Sequence, residues 1–175
     1  MPITAEFSRL FVLDGVPPGG TIVRFQATPE ERLALAARFE LVRLDRLEGE
    51  TRIVRADPAT SVLVTGRLEA EVVQSCVVTF DPVPATVVAE FDRLFSEDLP
   101  EATVDEVEID PEAELPEPVV GGKLDLGEIL AQELSLAMDP YPRSPEADRR
   151  LAELAASEVD GDKGPFGALA SLRRH

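Results

Sequence analysis

One thiol and one imidazole, Cys76 and His175, are the chain's only candidates for a cysteine nucleophile and a histidine base. A Cys-His or Ser-His-Asp arrangement needs the base within hydrogen-bond reach of the nucleophile. The histidine instead closes the run Arg173-Arg174-His175, far from the cysteine in sequence. A thiol becomes reactive beside a base or at a helix N-terminus. Cys76 lies in a strand-like run between Ser75 and Val77, which predicts a buried structural cysteine. One Cys and one His cannot by themselves furnish a structural zinc site.

Carboxylates are abundant, with 34 Asp and Glu in 175 residues. Asp105, Glu106, Glu108, Asp110, Glu112 and Glu114 are the densest group, and they lack the Asx-Gly-x5-Glu spacing of a calcium loop. Paired carboxylates for acid–base work need a shaped pocket, and in so acidic a chain such pairs arise by chance. Pro17-Pro18-Gly19-Gly20-Thr21 has no following Lys-Ser/Thr, so it reads as a tight turn and not a phosphate loop. With no Trp, one Tyr and no run of Lys or Arg, there is no array for stacking nucleic-acid bases. These residues predict a protein that is not an enzyme, with no metal, no cofactor and no small-molecule substrate.

The formal net charge is −17 and it is unevenly spread. Residues 90–118 carry twelve acidic side chains against Arg93 alone, a balance of −11, while residues 143–175 hold six of each sign. Such a stretch repels phosphate backbones, which bind basic surfaces by releasing counterions. A basic protein is the partner that suits it, although an acidic run poor in apolar groups also reads as a solvated, unfolded loop. No window approaches eighteen consecutive apolar residues, so no membrane helix is expected and the cytoplasm is the default location.

The elements that must position these residues follow from periodicity. Residues 3–13 and 21–27 read as strands, the second with Ile22, Arg24 and Gln26 on one side and Val23 and Phe25 on the other. Thr28-Pro29-Glu30-Glu31 is a capping box with Pro at the first helical position, predicting a helix to about Arg38 whose Leu33 and Ala37 face inward. From Leu41 the period becomes two, and Leu41 to Ala56 reads as one or two strands broken near Glu48-Gly49-Glu50. Val62, Val64, Gly66, Leu68, Ala70 and Val72 then alternate with polar residues, the signature of a strand with one buried face. Residues 74–80 continue extended, and Val87, Ala89, Phe91 and Phe95 mark another strand. A second helix begins at Asp125 as N-cap and buries Leu126, Ile129, Leu130, Leu134 and Ala137. A short helix is expected near Ala147–Ala156.

The fold expected is α+β: a twisted antiparallel sheet of about six strands packed with two main helices. Residues 1–145 form one domain containing a flexible acidic segment at 96–118, and residues 146–175 form a polar linker and a C-terminal hook. In the hook Phe166, Leu169 and Leu172 recur at i, i+3 and i+6. That spacing fits either a partner-binding peptide or a segment that docks back on its own domain.

Three stretches in order resemble the YceD family, described as large ribosomal RNA subunit accumulation proteins. They are Val64-Thr65-Gly66-Arg67-Leu68-Glu69-Ala70 through Ser75-Cys76-Val77-Val78-Thr79-Phe80-Asp81-Pro82-Val83, then Asp125-Leu126-Gly127-Glu128-Ile129-Leu130 through Asp139-Pro140-Tyr141-Pro142-Arg143, and Pro165-Phe166-Gly167-Ala168-Leu169-Ala170-Ser171-Leu172. The resemblance spans roughly residues 60–172. It implies a bacterial cytoplasmic factor for 23S ribosomal RNA accumulation or processing, and no catalytic activity. Some relatives carry Cys-x-x-Cys here with a later His and Cys, a pattern similar to a metal knuckle. In this chain Thr79 stands three after Cys76, so the resemblance implies no metal. The expected partner is a basic ribosomal or RNA-processing protein facing the acidic segment. Ribosomal RNA is a possible second partner, contacted not by that segment but by Arg143, Arg149, Arg150, Arg173 and Arg174. The alternative is a general acidic interaction or chaperone-like module with no ribosomal link.

Overall fold

The computed structural model describes residues 6–56, 60–98 and 116–158. In chain order they form β1 (Leu10–Val12), β2 (Thr21–Gln26), α1 (Pro29–Arg38), β3 (Arg43–Arg55), β4 (Ser61–Ser75), β5 (Pro82–Ser96), β6 (Glu117–Pro118), β7 (Lys123–Asp125), α2 (Leu126–Ala137) and α3 (Pro145–Glu158). They fall into two compact units. One comprises the described residues up to Gln74 and those from Pro84 to Asp139; the other comprises Ser75–Val83 and the described residues from Pro140 onward.

The larger unit is built on a five-stranded sheet in the order β2-β3-β4-β5-β6, with β1 and β7 as a separate antiparallel pair. The architecture is α+β, as expected. Alternation fixes the register. Phe25 stands opposite Gly49, Gly49 opposite Leu68, and Leu47 opposite Ala70, so the apolar positions of three strands share one face. Val62, Val64, Leu68, Ala70 and Val72 on β4 and Leu47 and Ile53 on β3 are all buried.

Four details depart from the sequence expectation. Residues 6–13 give only a three-residue strand, because Leu13–Gly15 turn as a 3-10 helix before the prolines. β3 is a single strand; Gly49 does not break it, and the one irregularity is a bulge between Leu44 and Arg46. The sheet is not wholly antiparallel, since β6 runs parallel to β5 with Phe95 opposite Glu117. β4 ends at Ser75, and the residues after Cys76 turn instead of continuing extended.

α2 covers the sheet with Leu126, Ile129, Leu130, Ala131 and Leu134, while Ala137 is exposed. The fit depends on missing side chains. A Cβ on Gly49 would stand 2.7 Å from both δ-carbons of Leu130, and one on Gly66 would stand 2.4 Å from Cζ of Phe91. In α1 the inward residues are Leu35 and Ala36, and Leu33 and Ala37 are exposed. Leu35 lies about half a turn from Leu33 around the helix, and it is Leu35 that is buried in the core, with Phe39 packed against that core one turn on.

Asp125 organises one end of this unit. Its carboxylate accepts the N–H groups of Gly127 (3.1 Å) and Glu128 (3.2 Å), capping α2, and also Arg9 N–H (2.7 Å) and the Ser8 hydroxyl (2.6 Å). Two arginines bind further pairs of segments. Arg9 makes a two-pronged contact with Glu31 at 2.6 and 2.8 Å, and its guanidinium lies 4.7 Å from the centre of the buried Phe7 ring. Arg38 does the same to Glu128, at 2.8 Å twice, and reaches Glu6 at 3.2 Å. The hydrogen bonds from Arg9 and Arg38 hold the carboxyls of Glu31 and Glu128 below the usual range.

Two outcomes follow. A Cβ on Gly127 would stand 2.5 Å from the Phe7 carbonyl oxygen. Gly127→Ala therefore lowers stability by about 1–3 kcal/mol in urea unfolding, although alanine is the better helix former. Glu31 and Glu128 bind protons less readily folded than unfolded, so their contribution is present above a normal glutamate pKa of about 4.3 and is lost as pH falls through the depressed folded values. The urea midpoint should fall on acidification below about pH 4.3, and in Glu31→Gln and Glu128→Gln variants the acid limb should be shallower.

Candidate partner-binding surface

The smaller unit is centred on Cys76. After β4 the chain doubles back: Phe80 N–H donates to the Cys76 carbonyl (3.0 Å) and Cys76 N–H to the Asp81 carbonyl (2.8 Å). The Val77 N–H reaches the Pro142 carbonyl at 2.9 Å, joining this turn to the segment that leads into α3. The Cys76 side chain is fully buried. Its Sγ accepts three backbone N–H groups, from Val78 (3.4 Å), Thr79 (3.4 Å) and Ser144 (3.3 Å). The hydroxyls of Thr79 and Ser144 meet beside it at 3.2 Å. Ser144 Oγ also accepts Ala147 N–H (3.2 Å), which makes Ser144 the cap of α3 with Pro145 in the first helical position.

Burial pushes the Cys76 thiol up, but the Thr79 side chain and the N–H groups of Ser144, Thr79 and Val78 outweigh it and bring the thiol down to about 6. Three inward N–H dipoles stabilise the thiolate as an anion-binding nest does. The sulfur thus acts as a shared acceptor that joins the β4–β5 turn to the start of α3. The sequence reading missed the roles of Thr79 and Ser144. The Ser-Pro pair at 144–145 was the available signal for the cap; the convergence on sulfur had none. Among the described residues no group of three or more His, Cys, Asp or Glu could hold a metal ion.

Around this centre the unit displays apolar side chains. Phe80 is 80% exposed and has a φ of +63°, in the left-handed region that favours glycine. Val77, Val78, Tyr141, Leu151 and Leu154 are also exposed. A bulky residue held in that backbone region and aimed at solvent is the sort of strained position that clusters at binding sites.

Of the residues expected to bind a partner, Arg143, Arg149 and Arg150 lie in this unit. Arg143 stands 3.7 Å from Asp148, Arg150 stands 3.7 Å from Glu146, and Arg149 pairs with Glu146. Two carboxylates offset only part of the charge of these three arginines, and exposed pairs of this kind contribute only about 0–1 kcal/mol, so a competing anion can displace the carboxylates. Phe166, Leu169, Leu172, Arg173 and Arg174 lie outside the described residues, as do Asp105, Glu106, Glu108, Asp110, Glu112 and Glu114.

In the larger unit an open depression of about 560 Å³ is lined by Arg24, Gln26, Glu48, Glu50, Arg67 and Glu69 with intervening backbone. Cross-strand register sets its charges in rows, Arg24 opposite Glu50 and Glu50 opposite Arg67. Glu48 is held low by its hydrogen bond from Arg46, the opposite of what a general acid at neutral pH requires.

Taken together, these features define a small α+β protein with a cysteine-centred knuckle. The chain belongs to the YceD family: the family model, described as large ribosomal RNA subunit accumulation protein YceD, matches residues 64–173, more than half of the chain. The match takes in most of β4, the Cys76 turn, β5, α2 and α3, and omits β1, β2, α1 and β3. No curated protein and no solved structure gave a match. No described helix is long and apolar enough to cross a membrane.

Since the folded thiol is shifted down, the unfolded chain binds more protons between about pH 6 and a normal thiol pKa of about 8.5, and stability from this group rises with pH across that window. Urea unfolding of the native chain and a Cys76→Ser variant should show a gap that widens from pH 6 to 9. A gap that stayed constant would mean the sulfur is not a thiolate hub. A thiol reagent should label Cys76 far more slowly in the folded protein than in urea, because the side chain is fully buried.

Proposed function

We propose that this protein is a non-catalytic accessory factor for large ribosomal subunit biogenesis, acting in the bacterial cytoplasm to support the accumulation or processing of 23S ribosomal RNA. The single observation that carries the reading is the family match over residues 64–173. The factor acts by binding. Its acidic segment at 96–118 faces a basic ribosomal or RNA-processing protein, because opposite charge accelerates encounter and like charge rejects phosphate. The Cys76 unit supports a second contact, since exposed Val77, Val78 and Phe80 stand on a turn fixed by three N–H donors to sulfur. Any contact with RNA falls to Arg143, Arg149, Arg150, Arg173 and Arg174.

Gene deletion tests the ribosomal assignment: precursor and mature 23S RNA and the subunit profile should shift toward precursor and away from complete large subunits. Unchanged RNA and profile would favour a general acidic interaction module instead. The binding mode has its own test. Neutralising Asp105, Glu106, Glu108, Asp110, Glu112 and Glu114 to amides should weaken capture of a basic partner and flatten its salt dependence. Capture insensitive to salt between about 0.05 and 0.5 M would remove the electrostatic role, because exposed charges are screened within a Debye length that shortens over that range.

A further inference from the structure

Phe80 combines properties that folding alone does not explain. Its side chain is 80% exposed, so it adds little to the core. Its φ of +63° lies in the left-handed region, where a glycine would fit without strain. Both of its backbone polar groups are held: the N–H donates to the Cys76 carbonyl at 3.0 Å, and the carbonyl accepts the Ser75 hydroxyl at 3.4 Å. Among the described residues no other ring stacks on it and no guanidinium lies over it. An aromatic side chain that is fixed, strained and turned to solvent has its use outside the chain.

The turn that carries Phe80 also fixes a cation near it. Val77 N–H donates to the Pro142 carbonyl at 2.9 Å, Ser144 N–H donates to Cys76 Sγ at 3.3 Å, and the hydroxyls of Thr79 and Ser144 meet at 3.2 Å. Arg143 lies between these two bonded residues. Its side chain is about half exposed and stands 3.7 Å from Asp148, a pair weak enough to exchange. An aromatic face with an arginine close by is a combination that holds an unpaired base and its phosphate. The remaining charges narrow the choice. Asp81, Glu146 and Asp148 stand against Arg143, Arg149 and Arg150 in this unit, so it offers no broad surface for the phosphates of a duplex.

We infer that Phe80 is a stacking platform for one unpaired base of a single-stranded RNA segment, with Arg143 at the adjoining phosphate. The choice of RNA rests on the ribosomal reading; the platform rests on the geometry of the turn. Because the backbone is already held, no loop has to be ordered when the base arrives. The ring carries the binding more than charge does, so the salt dependence is shallow, with a slope of about −0.7 for a single phosphate.

The test uses the full chain, a hairpin RNA with an unpaired loop, and the same RNA fully paired with its complement. The loop RNA should bind, and the duplex should bind at least about fivefold more weakly because its bases are already stacked on one another. Phe80→Leu should weaken loop binding at least about fivefold, whereas Phe80→Trp should keep it. Phe80→Gly separates binding from folding: glycine accepts the positive φ, so the urea midpoint should not fall while loop binding is lost. Equal binding by Phe80→Leu and the native chain would overturn the stack and leave an apolar pocket of a protein as the occupant. No preference for loop over duplex, or no binding of either RNA, would overturn it as well. None of these failures touches a ribosomal role carried by protein contacts, which gene deletion reads separately.

Discussion

Four hydrogen bonds converge on the carboxylate of Asp125, and the larger unit depends on them. Two come from the first turn of α2 and two from the chain at Ser8 and Arg9. The same residue is the last of β7 and pairs with Leu10 of β1. One side chain therefore sets where α2 starts, which way its apolar face turns and how the N-terminal segment closes against it. Gly127 lets the backbone approach that closely. Arg38 and Arg9 then extend the join to α1 through Glu128 and Glu31.

The second unit solves a similar problem with sulfur in place of carboxylate. In each unit a single acceptor gathers backbone N–H groups from segments distant in sequence, and a helix begins beside it: α2 at Asp125, α3 at Ser144. Donors aimed at one atom cannot be moved singly without leaving a buried group unpaired. In the same turn Phe80, whose N–H donates to the Cys76 carbonyl at 3.0 Å, has a left-handed backbone conformation.

Local signals in the sequence were read reliably. Thr28-Pro29-Glu30-Glu31 formed the capping box it spelled, Asp125 capped α2, and the alternation from Val62 to Val72 placed its apolar side inward. Errors arose where tertiary packing chooses between local options. Leu33 and Ala37 have helical spacing as good as that of Leu35 and Phe39, and only the surrounding core decides between them. Gly49 looks like a breaker until Leu130 is seen to occupy the space its side chain would take. The parallel pairing of β6 rests on two residue pairs, too short for any periodic signal. Of the expected binding residues, Arg143, Arg149 and Arg150 were found to share one unit and to pair with nearby acids, which their sequence positions only hinted at.

β5 is fifteen residues long, yet β6 pairs with only its last two, and among the described residues no other strand lines that edge. An open edge of this length is a template onto which another chain's strand can add. Here it is blunted by Pro82 and Pro84, which cannot donate to a ladder, and by exposed Glu90 and Asp92. Two such edges meeting would bring like charges together. Along the described part of this edge, acidity would hold two copies of the sheet apart and not draw them together.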